Sequence, residues 1–426
     1  MSKIFERVIL KQLCNYIETN HLYNTTQSGF RKGHSTSTLL LKLRDDIRKA
    51  MKKSEITLTI LIDFSKAFDT IDHRVLLNKL YKLNFSHDSI KILSSYLRDR
   101  DQYVQIDDQK SSCSPMNFGV PQGSILGPVL FNLYVIELTN DISSQAIQYA
   151  DDTTIYRHCK IINIRDSIKE LESDIRDLLV WSKNHNLLFN SEKLQFIIFF
   201  SSRLSKQLGT DRSYLIRSSG LSIEQKHNVK LLGILFDENL TWNDQINRII
   251  KSSYGTLRAL RNFSRFTPYH VRKTLAEALI LSRLNYGSAV FAQIPKYLIR
   301  RLQKMQNVTA GYVLSHYAVT KDVVDLKWLP IKELFEWNTV KLVHKSKFDS
   351  KHPQYLKVDF HIPRRNVRPE NQEPLVTPGE TKTFQAQAQV FDNLPKNLKT
   401  LKDYEKFSEE TKKFYLDQAL AESLSS

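Results

Sequence analysis

Residues 57–69 read TLTILIDFSKAFD, a β-branched and apolar run that ends in an aspartate. The run 56–62 predicts a strand that is buried on both faces. A carboxylate directly after such a strand costs free energy unless it is paired or bound to a metal ion. Asp63 is therefore the first candidate functional residue of the chain.

Two later stretches extend this pattern. GVPQGSILGP, residues 119–128, predicts a turn that leads into a helix, with Pro128 at the first helical position. QAIQYADDTTIYRH, residues 145–158, predicts a strand, a tight turn and a second strand, with Asp151 and Asp152 at the tip. Two aspartates at a hairpin tip are often solvated turn residues. Because apolar strands flank this tip on both sides, we favour a functional role.

Asp63 and Asp151 lie 88 positions apart, so the fold must bring them together. Three carboxylates at one sheet edge would repel one another strongly unless divalent cations bind them. Two such cations about 3.5–4 Å apart clamp the attacking and the leaving oxygen of a phosphoryl transfer. The pattern predicts nucleotidyl transfer.

The composition is typical of a globular protein, but its charge is not. Of 426 residues, 41% are hydrophobic and 25% are charged, and 62 basic against 45 acidic side chains leave a net charge of +17. A length of this kind predicts two or three packed units. The excess of basic residues favours a polyanionic partner, although a solvated basic surface is the alternative.

The basic residues cluster in residues 241–310, which contain twelve basic and two acidic side chains. On a predicted helix over 243–262, four of the basic residues recur at steps of 3, 7 and 3 and share one face: Arg248, Lys251, Arg258 and Arg261. A nucleic-acid-binding segment explains this distribution better than a solvated helix face.

Other protein classes are disfavoured. The three cysteines have neither disulfide-scaffold nor zinc-finger spacing and fit a reducing compartment. Apolar runs such as FIIFF, residues 196–200, are too short to span a bilayer. The N-terminal segment predicts an amphipathic helix with Ile4 and Val8 on its apolar side, and it does not resemble a signal peptide.

The remaining chain predicts helices and strands around these motifs. We expect Asp69 to cap a helix over 70–83, with Asp72 in its first turn. The other predicted helices are 3–18, 36–52, 163–185, 268–285, 295–314, 330–347 and 401–422; the other strands are 194–200 and 230–237, and a Pro-rich connector covers 349–385. The loop QSGFRKGHSTS, residues 27–37, could be a plain connector, or Arg31 and Lys32 could grip a triphosphate, with Gly29 and Gly33 allowing close approach.

Together, these motifs resemble the reverse transcriptases of non-LTR (LINE-like) retrotransposons. LIDFSKAFD, GVPQGSILGP and YADD occur in the order typical of that family. SKIFERVILKQL, QSGFRKGHST, WSKNHNLLFNSEK, KLLGILFDENLTW and LPKNLKTLKDYEKF also match it, so the resemblance covers nearly the whole chain.

The resemblance implies an α+β fold with right-hand polymerase architecture. The expected parts are partial fingers over 1–55, a palm on an antiparallel sheet over 56–240, a basic helical thumb over 241–314, and a post-thumb helical region with the Pro-rich connector over 315–426. The family's preceding fingers segment, its endonuclease domain and any Cys/His zinc knuckle are missing, which indicates an element truncated at the N-terminus.

The resemblance also implies roles for residues at the catalytic site. Asp63 and Asp151 would ligate two Mg²⁺ ions, with Asp152 supporting them and the Phe64 carbonyl as a further ligand; Mn²⁺ is a substitute. Arg31 would contact the incoming triphosphate. The activity would be RNA-directed DNA polymerisation.

Three nucleotide-pocket positions follow from the same resemblance. Phe68 would exclude a 2′-hydroxyl by stacking under the sugar, although a core aromatic is the alternative. Gln122 would line the pocket. Lys193 would protonate the leaving pyrophosphate, although Leu194 stands where the family usually has threonine.

The nucleic-acid contacts and partners are implied in the same way. The strand that contains Leu232 and Gly233 would grip the primer end, and the basic helices would follow the duplex. The expected partners are an RNA template, a DNA primer and dNTPs, with a separate endonuclease or an element-encoded RNA-binding protein and no membrane. The protein would be intracellular, and nuclear when acting. The alternatives are an inactive remnant that binds RNA or RNA–DNA duplex, and a maturase-like RNA-binding protein.

Overall fold

The computed structural model describes residues 2–208, 214–361, 375–379 and 381–425. The α-helices of this part of the chain are α1 Ser2–Thr19, α2 Thr36–Lys52, α3 His73–Lys82, α4 His87–Leu97, α5 Gly127–Tyr134, α6 Ile164–Asn184, α7 Asn243–Asn262, α8 Tyr269–Ala276, α9 Ser282–Asn285, α10 Lys296–Leu314, α11 Thr320–Asp325, α12 Ile331–Phe348, α13 Phe384–Ala388, α14 Lys396–Thr400 and α15 Tyr404–Ser425. A π-helical stretch, Glu277–Leu281, joins α8 to α9. Each helix predicted from periodicity is present, with its ends shifted by a few residues.

The strands alternate with these helices. In chain order they are β1 Ile56–Ile62, β2 Phe64–Ser65, β3 Asp101–Gln102, β4 Gln105–Ile106, β5 Gln109–Lys110, β6 Ser114–Pro115, β7 Gln145–Tyr149, β8 Asp152–Cys159, β9 Leu188–Phe189, β10 Gln195–Phe199, β11 Leu215–Ser218, β12 Leu221–Glu224, β13 Asn228–Leu231, β14 Ile234–Asp237, β15 Phe360–His361 and β16 Leu375–Val376. Four of them form one antiparallel sheet in the order β10-β1-β8-β7. The predicted α+β class with an antiparallel sheet is confirmed.

β1 is one of the two central strands of this sheet, and its seven residues are all buried. Its β-branched and apolar side chains fit a strand that is covered on both faces. Helix α6 packs against β8 and β11 and buries Leu171, Ile175 and Leu178, which follow helical spacing. Each such side chain contributes about 1.5–3 kcal/mol on full burial. The sheet edge at Asp63 therefore rests on a well-packed core.

The chain divides into two compact units. Unit one comprises Met1–Ser35 and Ser54–His227, and unit two comprises Thr36–Lys53 and Asn228–Ser426. The four-stranded sheet lies in unit one. The finer division into fingers, palm and thumb stays a prediction.

In its described residues, unit two is mostly helical with two antiparallel strand pairs, β13–β14 and β15–β16, and it includes α2 from the N-terminal part of the chain. The buried Arg44 of α2 donates to the carbonyl oxygens of Ala289 and Val290 at 3.2 and 2.9 Å. The neighbouring Asp45 accepts from the backbone N–H of Phe384 at 2.8 Å. Buried charges of this kind are stable only when they are paired and hydrogen-bonded, so α2 is an integral part of this unit.

Three local predictions were wrong. The N-cap of α3 is Asp72, which accepts from the N–H groups of Arg74 and Val75, and not Asp69. Residues 228–237 form the hairpin β13–β14 and not one strand. On α1, Ile4 and Val8 are exposed, whereas the charged Glu6 is buried.

In the described part of the chain, no helix combines the length and the apolarity needed to cross a bilayer. Of the predicted connector 349–385, residues 362–374 and 380 lie outside the described residues.

Candidate active site

Strand register brings the three predicted acids to one edge of the sheet. The β1–β8 ladder ends at the pair Ile62–Thr153, so Asp63 and Asp152 are the next residues of the two strands. The β7–β8 hairpin closes with Tyr149 opposite Asp152, which leaves Asp151 in the two-residue turn. Residues 88 positions apart in sequence thus share one site.

The electrostatics of the edge show that the carboxylates interact. Burial, followed by the charges of Asp151 and Asp63, raises the pKa of Asp152 to about 6. Burial also raises the pKa of Asp151, and the charge of Asp63 adds to this effect. Because burial and, to a smaller extent, the neighbouring carboxylates disfavour the ionised acids, a bound cation would stabilise the charged site.

Lys193 supplies one positive charge at this edge. Its Nζ donates to the Asp63 carboxylate at 2.9 Å, and this contact raises the pKa of the lysine. The position follows from local pairing, since β2 pairs with β9 and Asn190 N–H donates to the Asp63 carbonyl at 2.8 Å. Lys193 therefore lies beside Asp63, and its expected contact with a triphosphate stays a prediction.

The donor set fits a hard divalent cation. Carboxylate and carbonyl oxygens are the ligands that Mg²⁺ prefers. Among the described residues, no three Asp, Glu, His or Cys side chains are already arranged as a metal-holding group.

The loop after α1 packs against the β7–β8 hairpin near its turn. Ser28 N–H donates to the Gln148 carbonyl at 2.9 Å, and Gln27 forms a parallel bridge with Gln148. A Cβ atom on Gly29 would lie 2.2 Å from the Ala150 nitrogen. Gly29 is therefore required for packing against the Tyr149–Asp152 turn, whereas the sequence suggested an approach to phosphate.

The Arg31 side chain makes its contacts within unit one. Its guanidinium donates to both carboxylate oxygens of Glu18, at 3.1 and 3.2 Å, and lies over the Tyr23 ring. The fork of donors suits a phosphate equally well. A triphosphate contact by Arg31 would have to replace the Glu18 pair.

Phe68 lies in an aromatic group beside the site. Its ring stacks on Phe131 at a centroid distance of 4.5 Å, and Phe30 meets it edge-on at 6.2 Å. Phe68 is half-buried, so part of its ring remains accessible. Phe64 is buried against Phe189.

The GVPQG loop is fixed to the segment that follows Asp63. Val120 N–H donates to the Phe68 carbonyl at 2.9 Å, and Gln122 Nε2 donates to Asp69 Oδ1 at 3.0 Å. Gly119 has a φ of +82°, and a Cβ there would lie 2.7 Å from the Asp69 carbonyl oxygen. The two motifs therefore form one wall.

Sequence reasoning missed Glu6, which supports this wall. Its buried carboxylate accepts from the N–H groups of Ile125 and Leu126 at 2.7 and 3.3 Å. These donors directly precede α5, where a carboxylate stabilises the helix start. The available signal was an acidic residue on the otherwise apolar side of α1.

In unit two, Leu232 and Gly233 form the turn of the β13–β14 hairpin, with φ values of +44° and +84°. The Tyr286 hydroxyl donates to the Leu232 carbonyl at 2.7 Å, and a Cβ on Gly233 would lie 3.1 Å from the Tyr286 ring. Tyr286, which sequence reasoning also missed, therefore fixes the predicted primer-contacting turn.

The predicted basic face of α7 is present. Ile246, Ile249 and Leu257 are buried on one side of the helix. The four basic residues of the stripe are all exposed: Arg248, Lys251, Arg258 and Arg261.

Comparison with known proteins places this geometry in context. The family profile described as "Reverse transcriptase (RNA-dependent DNA polymerase)" matches residues 1–236, more than half of the chain. Those residues include all three acids and Lys193.

Two relatives come from Drosophila melanogaster. "Probable RNA-directed DNA polymerase from transposon BS" is 27% identical over 318 residues, which cover 72% of this chain and 34% of that protein. "RNA-directed DNA polymerase from mobile element jockey" is 28% identical over 345 residues, which cover 77% of this chain and 36% of that protein. The chain thus spans about a third of the length of these relatives, and the resemblance to non-LTR retrotransposon polymerases is confirmed.

Among solved structures, the chain is similar to a telomerase from Candida Tropicalis in complex with a fragment of telomeric RNA. The match covers 79% of this chain and 54% of the telomerase chain. Its sequence identity is 12% and its TM-score is 0.39.

Proposed function

Since this chain belongs to the reverse transcriptase (RNA-dependent DNA polymerase) family, we propose that it extends a DNA primer on an RNA template for a non-LTR retrotransposon. The observation that carries the proposal is the gathering of Asp63, Asp151 and Asp152 at one sheet edge. The raised pKa values of Asp151 and Asp152 support it, because they indicate a site that favours added positive charge.

The reaction is nucleotidyl transfer. The 3′-oxygen of the primer forms a bond to the α-phosphorus of a dNTP, the bond from that phosphorus to the bridging oxygen breaks, and pyrophosphate leaves. Reverse transcriptases depend on divalent cations. Two Mg²⁺ ions, with Mn²⁺ as a substitute, would be held by the three acids and the Phe64 carbonyl, and would supply Lewis-acid activation and charge neutralisation.

The protein's own side chains position the nucleotide and move a proton. Lys193 is protonated beside Asp63, so it can donate a proton to the departing pyrophosphate oxygen. Arg31 would exchange Glu18 for the triphosphate, to which its fork of donors is complementary. Phe68 and Gln122 line the same wall, where the Phe68 ring would meet a ribonucleotide's 2′-hydroxyl.

Unit two would bind the nucleic acid. We assign the hairpin turn at Leu232 and Gly233 to the primer end and the basic face of α7 to duplex phosphates. Each phosphate contact by Lys or Arg releases counterions, so binding should weaken steeply with salt. The positive φ values form a tight turn, and its partly exposed backbone can contact a strand.

Primer extension on poly(rA)/oligo(dT) with Mg²⁺ tests the proposal. We expect extension by the full chain and loss of extension in Asp151→Ala, while Asp166→Ala, which alters an exposed acid of α6, keeps it. Tight duplex binding without extension in any of these proteins would instead favour the inactive remnant. If Asp151→Ala extended the primer as well as the unaltered chain does, Asp151 would have no role in catalysis.

A further inference from the structure

A cavity of about 740 Å³ lies in unit two among the end of α7, α8 and α10. Four basic side chains line it, and none of the described residues that line it is acidic: Arg261, Arg272, Arg300 and Lys304. The volume lies within the range of about 300–1,000 Å³ that is typical of ligand sites. Cations that converge without a carboxylate among them favour an anionic ligand such as a phosphate.

Buried donors reach this cavity. Tyr312, which is 5% exposed, lines it. Within the described part of the chain, its hydroxyl has no hydrogen-bond partner, and neither has Arg272 Nε. Arg272 is oriented by its other end, where Nη1 donates to Ser315 Oγ. An unmade hydrogen bond at a buried polar group is unfavourable, so a ligand that accepts from both donors would be bound more tightly.

An exposed aromatic ring borders the cavity, and two more lie near a lining residue in sequence. Tyr317 lines the cavity and is 90% exposed. Phe263 and Phe266 are close in sequence to the lining residue Ser264 and are 66% and 86% exposed. Together with Arg261, they give the alternation of basic and aromatic side chains on which unpaired bases stack.

We propose that this cavity and its aromatic border form a binding site for single-stranded nucleic acid. Backbone phosphates would lie against Arg261, Arg300 and Lys304, and a phosphate oxygen would accept from Tyr312 and Arg272. An unpaired base would stack on Tyr317.

A single strand fits these features better than a duplex does. A duplex covers its base faces by stacking, so it cannot use exposed rings, and its outer phosphates do not reach recessed donors. The contacts are made by phosphates and base faces, which RNA and DNA share, so both kinds of strand should bind. The site does not depend on polymerisation, and it can be tested without it.

Fluorescence anisotropy of the full chain, with a chelator and without dNTPs, measures this binding. The probes are labelled oligo(dT) and oligo(rU) of about twelve nucleotides, within the usual span of such sites, and an RNA–DNA hairpin duplex. We expect Tyr317→Ala to weaken single-strand binding about 5- to 100-fold and Tyr312→Phe to weaken it about 2- to 10-fold. Duplex affinity should stay constant in both variants, and Tyr81→Ala, an exposed tyrosine of α3, is the matched control.

Tyr312→Phe also separates binding from folding, because it removes a buried hydroxyl without a described partner and so should not lower the Tm. Equal losses for single strand and duplex would overturn the proposal, as would unchanged single-strand affinity in Tyr312→Phe. Complete displacement of the oligonucleotide by an equal concentration of dTMP would identify a mononucleotide site and also overturn it.

Discussion

The Lys193 ammonium donates to the Asp63 carboxylate at 2.9 Å, although the two residues are 130 positions apart. The contact places a cation where a divalent metal ion would compete for the same carboxylate. A single side chain can thus affect both metal affinity and proton transfer, and the two effects have opposite signs.

For Lys193→Met, we expect tighter Mg²⁺ binding and slower chemistry. Asp63 loses its competing partner, so the Mg²⁺ midpoint of a thermal-shift titration should fall. The single-turnover extension rate should drop about 100-fold or more, because the leaving group loses its proton donor. Lys160→Met, at the far end of β8, is the control. An unchanged rate would show that Lys193 has no proton-transfer role.

The raised pKa of Asp152 predicts a pH-dependent stability in the presence of a chelator. Between the ordinary carboxyl pKa of 3.8 and the folded value of about 6, the folded state binds more protons than the unfolded state. Stability contributed by this group therefore falls as pH rises through that window. Asp152→Asn should remove the loss and stabilise the protein at pH 7.5 by about 1–2 kcal/mol, allowing for solvent screening of a partly exposed carboxylate.

Melting curves from pH 4 to pH 7.5 check this, with wild type and Asp152→Asn converging at the acidic end. The variant should also lose the Tm increase that Mg²⁺ produces in the wild type. A stability difference independent of pH would contradict the raised pKa of Asp152.

Gly29→Ala should damage the site from outside the catalytic residues. The new Cβ would lie 2.2 Å from the Ala150 nitrogen, so the turn that carries Asp151 must move. We expect a loss of about 2–4 kcal/mol in the free energy of unfolding and a large loss of extension. Gly255→Ala, on the exposed side of α7 with no described atom near, should instead stabilise the helix by about 0.5–1 kcal/mol.

Phe68→Ala should relax sugar selection. Removal of the ring that stacks on Phe131 opens space where a 2′-hydroxyl would lie, so rNTP incorporation relative to dNTP should rise about 10-fold or more. Phe30→Ala removes only the edge contact and serves as the control. If Phe68→Ala left the discrimination between rNTPs and dNTPs unchanged, Phe68 would be a core aromatic residue without a role in sugar selection.

The Arg31–Glu18 pair predicts opposite effects on nucleotide binding. Arg31→Gln should raise the KM for dNTPs about 10-fold or more, since charge-assisted hydrogen bonds contribute about 1.5–3 kcal/mol. Glu18→Gln should lower the KM, because it frees the guanidinium. Steady-state kinetics measure both values. A rise of similar size in the two variants would mean that the pair is structural.

The local sequence pattern was sufficient to predict much of the fold and of the candidate site. β1, the hairpin around Asp151 and the helix α6 follow from apolar periodicity, and the sheet edge at Asp63 follows from a charge after a buried strand. Asp69 and Asp72 both precede α3, and the sequence does not reveal which of them meets the free N–H groups. The run LLGILF is continuously apolar, so its division at Gly233 into a hairpin was hidden.

The other misses come from distant contacts. Glu6 is buried because the N–H groups that donate to its carboxylate, those of Ile125 and Leu126, lie 119 and 120 positions further along the chain. The same applies to Tyr286, whose hydroxyl meets the Leu232 carbonyl 54 positions away. Periodicity in a window of ten to twenty residues contains no information about such pairs.

The assignment of α2 to the second unit has a consequence for heredity. Each unit is encoded by two separated stretches of gene, so no single recombination breakpoint can exchange one unit whole. A crossover near codon 228 between diverged elements would set one parent's Arg44 and Asp45 against the other parent's residues around 289 and 384. Among related elements, we expect codons 36–53 to share their ancestry with codons 228–426 more often than with their immediate neighbours.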